Sequence, residues 1–201
     1  MRQGFGFSAI KRKLIIVAIS AMMIMPATAE SFSETKRLAE RGDVEAQLEL
    51  AELYDYGEGV EASEEMAAFW LERAAVQGNA EAQSRLGSAY NNGTGVEQSY
   101  QKAFYWLEKS AKQGDMYAQY NLGVAYYHGR GVRQNHASTY EWYMKSAKKG
   151  NTDGMYGLGA LFLYGEGVNQ SSVQAKEWYG KVCDAGDQRG CDMYRELNNQ
   201  D

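Results

Sequence analysis

The pentapeptide YGEGV stands at residues 56–60 and again, letter for letter, at residues 164–168, and the separation of 108 residues is three intervals of 36. Set out at that spacing, the chain falls into columns. Gly42, Gly78, Gly114, Gly150 and Gly186 form the first, and each is followed by Asp or Asn (Asp43, Asn79, Asp115, Asn151, Asp187). Leu50, Leu86, Leu122 and Leu158 form another, and Tyr54, Tyr90, Tyr126 and Phe162 a third. The G-x-G-V quartet recurs from Gly57, Gly93, Gly129 and Gly165, and Trp70, Trp106, Trp142 and Trp178 are all the tryptophans of the chain. A fixed period of this length means stacked supersecondary units.

Inside a unit the apolar spacing is helical twice over. Ala46, Leu50, Leu53 and Tyr54 recur at three- and four-residue steps in the first half of unit one, and Ala67, Trp70, Leu71 and Ala74 do so in the second half. Ser63, Ser99, Asn135 and Ser171 share one column just ahead of the second helices, where a side-chain oxygen can accept from free backbone N–H groups. The glycine column closes each second helix in a left-handed conformation. G-x-G-V is then the turn between the two helices; a phosphate loop would need a preceding strand and a lysine, and neither is present. The expected fold is all-α: a right-handed α-solenoid of helix-turn-helix repeats with a 36-residue period, its first helices lining the concave side. Four full repeats (42–77, 78–113, 114–149, 150–185) are expected between a capping helix at 30–41 and a C-terminal capping helix and tail at 186–201. Such half-units cover the apolar faces that terminal repeats leave open.

The pattern G-[DN]-x-x-A-Q-x-x-L-G-x-x-Y-x-x-G-x-G-V, followed by A-x-x-W-x-x-x-A, resembles the Sel-one-like repeat (SLR) family, relatives of the tetratricopeptide repeats. It is clearest in GDMYAQYNLGVAYYHGRGV, residues 114–132. Unit four departs from it, with Gly154 and Met155 in place of Ala-Gln, so a looser first helix is expected there. The resemblance implies a protein-binding adaptor or scaffold.

The N-terminus carries a different message. Lys11, Arg12 and Lys13 precede a twelve-residue apolar run, LIIVAISAMMIM, and then Ala27-Thr28-Ala29. This is the order of a secretory signal peptide cut after Ala29. The run is shorter than the about 20 residues of a membrane span, and the mature chain contains no other candidate transmembrane segment. Removing residues 1–29 takes away Arg2, Lys11, Arg12 and Lys13 and no acid, so the formal charge of −5 becomes −9. No clustered basic face remains for nucleic acid. The expected location is the periplasm; in a eukaryotic secretory route Asn92-Gly93-Thr94 and Asn169-Gln170-Ser171 would become glycosylation sites.

Cys183 and Cys191 are the only cysteines and flank the turn at Gly186. In an exported protein a disulfide is the default expectation. The C-x7-C spacing is similar to that of the Helicobacter cysteine-rich branch of the SLR family, which carries a bridge in most units. That branch has been associated with penicillin binding and β-lactamase activity. Two S-x-x-K matches occur in the mature chain, Ser33–Lys36 and Ser146–Lys149, but neither is followed by S-D-N and K-T-G. His128 and His136 show no metal-ligand spacing, and Glu45, Glu49 and Glu52 on one helix face read as solvated surface rather than as an acid–base pair. The sequence thus names no catalytic residue, metal ligand or cofactor.

Variable columns should mark what a partner reads. On the first helices they turn from acidic in unit one to aromatic in unit three: Tyr117, Tyr120, Asn121 and Tyr127 replace Glu81, Ser84, Arg85 and Asn91, and Tyr156 and Tyr164 extend the set. Tyrosine is enriched at interfaces, so a protein or peptide partner on the concave face of units three and four is one reading. Packing of these rings between neighbouring helices is the other. By analogy with the SLR family the protein is an envelope adaptor, or an immunity protein that neutralises a toxin; a hydrolase of the cysteine-rich branch is the competing class.

Overall fold

The computed structural model describes residues 27–199, with side chains from Ser31 onward. The expected signal segment before Ala27 lies outside the described residues. Ten helices and no strand are found among them: α1 (Ala27–Glu40), α2 (Val44–Tyr56), α3 (Glu64–Val76), α4 (Ala80–Asn92), α5 (Tyr100–Gln113), α6 (Met116–His128), α7 (His136–Ala147), α8 (Thr152–Tyr164), α9 (Ser172–Asp184) and α10 (Gln188–Asn198). Each helix packs on the next, and the first helices α4 and α6 also touch each other. The chain is an α-solenoid of four helix pairs between two capping helices.

Local chemistry sets the ends of the repeat helices. Asp43, Asn79, Asp115 and Asn151 accept from the backbone N–H of Ala46, Ala82, Ala118 and Gly154, so the Asp/Asn column supplies the N-caps of the first helices. Ser63, Ser99, Asn135 and Ser171 cap the second helices in the same way, through Met66, Lys102, Ser138 and Gln174. Gly57, at φ 70°, ends α2 with its N–H on the Leu53 carbonyl, a left-handed closure repeated at Gly93, Gly129 and Gly165.

The second glycine of G-x-G-V has a separate cause. A Cβ on Gly95 would lie 2.0 Å from the carbonyl oxygen of Glu64, and one on Gly131 2.1 Å from that of Tyr100. The turns of units two to four therefore rest, backbone against backbone, on the start of the previous unit's second helix. Only glycine permits that approach.

Leu50, Leu86, Leu122 and Leu158 are fully buried, one per repeat. Each tryptophan carries a cation three residues on: Arg73, Lys109, Lys145 and Lys181 sit 5.7, 5.3, 4.0 and 3.9 Å from the rings of Trp70, Trp106, Trp142 and Trp178. Each such contact is worth about 0.5–1 kcal/mol at a solvent-facing site, and the alkyl stems cover apolar surface that the helix would otherwise expose.

A buried amide clamp joins the repeats. Gln47, Gln83 and Gln119 donate to the carbonyls of Ala39, Ala75 and Ala111 in the last turn of the preceding second helix. Gln77 and Gln113 in turn donate to the side-chain oxygens of Gln47 and Gln83. In unit four both amides are gone, replaced by Met155 and Ala185. At the C-terminal cap the column of Gln47 holds Cys191 and the column of its acceptor Ala39 holds Cys183, and these form a disulfide with Cα atoms 4.5 Å apart. A covalent bond thus stands where the hydrogen-bonded clamp stands elsewhere. Serine at both positions is expected to cost about 2–3 kcal/mol by loop-closure entropy, felt in α10. Amide exchange should speed up at Tyr194 to Leu197 while α4 to α6 keep their protection; uniform acceleration along the chain would contradict a local staple.

Candidate functional site

The six residues expected at a binding face separate into two groups. Tyr120 is half-buried and stacks on Tyr143 with ring centroids 5.5 Å apart. In the same columns of unit four Tyr156 meets Tyr179 edge-on, at 5.1 Å and under the Arg189 guanidinium. In the columns of Tyr143 and Tyr179 the earlier units have Leu71 and Leu107, so units three and four exchange a leucine for a tyrosine pair. Tyr127 donates its hydroxyl to Glu166 at 2.8 Å and lies edge-on to His128 and His136. For these three rings the packing reading fits the geometry. Tyr117 and Tyr164 are 59% and 66% exposed.

Ionisation follows the same division. Burial raises the hydroxyl pKa of Tyr143 and Tyr179, and the neighbouring phenols Tyr120 and Tyr156 add to it. The Tyr127 hydroxyl is raised first by its bond to Glu166. Burial lowers His128. These phenols stay protonated and act as packing groups and donors.

An open groove of about 730 Å³ lies along the first helices of units one to three. Its floor is apolar, made by Ala67, Ala68 and Leu71 of α3 and Ala89 of α4. Asp55, Glu64, Glu81 and Asp115 add carboxylates, and Tyr117 and Asn121 of α6 close one end. Tyr117 and Asn121 are therefore the expected residues that the structure brings to a concavity; Tyr120, Tyr127, Tyr156 and Tyr164 are not among its walls.

The groove is braced across repeats. Arg85 donates to Glu52 at 2.7 Å and Asp55 at 2.8 Å, tying α4 to α2, and lies 3.7 Å from Glu81. Ser84 donates to Asp115 at 2.9 Å and Asn121 to Ser88 at 3.3 Å, tying α4 to α6. Arg85 is the single Lys or Arg on α2, α4, α6 and α8. That fact is readable from the variable columns.

Ser146 of the second S-x-x-K match is fully buried and donates to the Met116 carbonyl at 2.7 Å, as Ser110 does to Ala80. It is a packing position with no access for a substrate. Glu52 is committed to Arg85. Among the described residues no cluster of His, Cys, Asp and Glu has a metal-binding arrangement, and no described helix is long and apolar enough to cross a membrane.

The sequence profile of the Sel1 repeat family matches residues 44–79, 80–115, 117–151 and 152–187. Among solved structures, a protective antigen present in uropathogenic Escherichia coli strains and displaying an SLR fold is 38% identical. Its TM-score is 0.76, with 80% of this chain and 34% of that chain covered. A Sel1 repeat protein from Oxalobacter formigenes is 25% identical with a TM-score of 0.77, over 83% of this chain and 66% of that one. Helicobacter pylori cysteine rich protein B shares the fold at 19% identity and a TM-score of 0.51, over 67% of this chain and 96% of that one. The chain thus spans about a third of the length of the E. coli protein and about two thirds of that of the Oxalobacter protein. No curated protein matches it.

Proposed function

Because this chain belongs to the Sel1 repeat family, we propose that it is a non-catalytic binding module whose first-helix face takes up a segment of another protein. The observation that carries this reading is the groove itself. It has an apolar floor, a polar rim and an exposed tyrosine at one end, the combination that suits a peptide backbone and its side chains. Its walls come from three successive repeats braced by Arg85, Ser84 and Asn121, so they are held in register before any partner arrives. Preorganisation of this kind lowers the entropy cost of binding.

The setting we propose is the periplasm, where an envelope or exported protein would be the partner. The signal-like N-terminus and the oxidised Cys183–Cys191 pair support it.

A pull-down with the tagged exported chain, read by mass spectrometry, tests the proposal. Tyr117→Ala combined with Asn121→Ala is expected to reduce capture of the dominant partner by roughly tenfold or more, the scale of an interface hot spot. Circular dichroism should show the solenoid unchanged. Undiminished capture by that folded variant would remove the groove from consideration.

A further inference from the structure

We infer that the segment seated in the groove of units one to three is cationic, an extended stretch of protein rich in lysine or arginine; this rests on the binding reading above and specifies its partner.

The charge on the groove is one-sided. Asp55, Glu64, Glu81 and Asp115 line it, and Glu52 stands beside Asp55 on the Arg85 guanidinium. The one cation in the walls, Arg85, is enclosed by Glu52, Asp55 and Glu81 and is three-quarters buried. It is spent on holding α2 to α4, so an acidic partner would find no free positive group and four carboxylates. One guanidinium does not balance five carboxylates, and a neutral partner would leave that excess negative charge uncompensated in a concavity, where low-dielectric walls concentrate the field.

The other surfaces of the groove fit the same chemistry. Alanines and Leu71 on the floor accommodate the aliphatic stems of lysine or arginine, which bury their methylenes while the charged end reaches a carboxylate. Tyr117, 59% exposed and two residues after Asp115, offers a ring face to a guanidinium or ammonium. Elsewhere the chain uses this pairing repeatedly, with a cation over each tryptophan. Tyr117 has the ring but no cation of its own among the cation–ring contacts of the chain's described residues. The second helices α3, α5, α7 and α9 carry seven Lys or Arg against seven Asp or Glu, whereas the first helices α2, α4, α6 and α8 carry one against six, so the negative charge of the repeats is concentrated in the first-helix layer.

The test uses the full folded chain and three fluorescein-labelled probes: an alternating Lys-Ala peptide, the same peptide with every lysine acetylated, and an alternating Glu-Ala peptide. Fluorescence anisotropy should show saturable binding of the Lys-Ala peptide alone, weakening as salt rises because exposed charges are screened. Glu64→Gln with Glu81→Gln, both at exposed positions, should weaken it roughly fivefold, as expected for two solvent-facing ion pairs; Glu81 lies 3.7 Å from Arg85, whose shorter bonds to Glu52 and Asp55 remain to hold α4 to α2. Equal binding of all three probes, no binding of the Lys-Ala peptide, or full affinity in that double variant would overturn the inference. Should the Lys-Ala peptide fail while Tyr117→Ala with Asn121→Ala still abolishes capture of a natural partner, the groove reading stands and only its charge preference falls. Loss of neither would sink both.

Discussion

Gly131→Ala is expected to destabilise the protein by about 3 kcal/mol or more, lowering Tm by roughly 6–12 °C for a chain of this size. Two costs combine. At φ 71° the residue is left-handed, which costs a side-chain-bearing residue about 1–2 kcal/mol. The new Cβ would also sit 2.1 Å from the Tyr100 carbonyl oxygen and 2.6 Å from its carbon, both backbone atoms that cannot rotate away. Relief requires the turn of unit three to lift off the start of α5, which opens the junction between units two and three. Gly150→Ala provides the internal comparison. Its φ is 93°, yet nothing lies within 4 Å of its Cβ position, so it should show the conformational cost alone. Urea titration of both variants checks the argument. Equal losses would mean that the close approach between repeats contributes nothing.

Tyr143→Ala should cost about 3–5 kcal/mol, the range for deleting a large buried ring. Tyr143 is 7% exposed, and its ring fills space left by Gly123 and Gly157: a Cβ at either glycine would come 2.5 or 2.6 Å from ring carbons. Tyr120 stacks on its other side. Removing the ring leaves a cavity walled by two glycines that have no side chain to collapse into it, which places the loss toward the high end. Tyr120→Ala, at a half-buried ring, should cost less, about 1–2 kcal/mol, and should leave partner capture unchanged if its role is packing. Thermal unfolding separates the two. In a solenoid each repeat is stabilised by its neighbours, so damage at Tyr143 should also divide unfolding into separate N- and C-terminal steps. A single sharp transition with a small Tm change would contradict this account of the ring.

Much of the architecture is legible in the residues because its determinants are local. An Asp or Ser oxygen reaching the N–H three residues on, and a glycine turning left-handed at a helix end, involve neighbours in sequence. A period of 36 repeated through four units then multiplies those local instructions into a solenoid. The cysteine pair is readable for the same reason, since eight residues separate the two across one turn. What a column cannot state is which neighbour a side chain meets. Tyr117 and Tyr120 look alike as letters three apart on one helix. One faces solvent beside the groove, and the other is covered by Tyr143 from the next helix. Arg85 finds Glu52 across 33 residues and Ser84 finds Asp115 across 31, and these contacts, not the tyrosine count, fix where the groove lies. The amide clamp, the glycine seats on the preceding repeat and the enclosure of the one first-helix cation all depend on how repeats stack. Stacking is set by packing summed over whole helix faces, so the sequence determined the repeat and its turns, and the tertiary structure alone decided where the open groove lies.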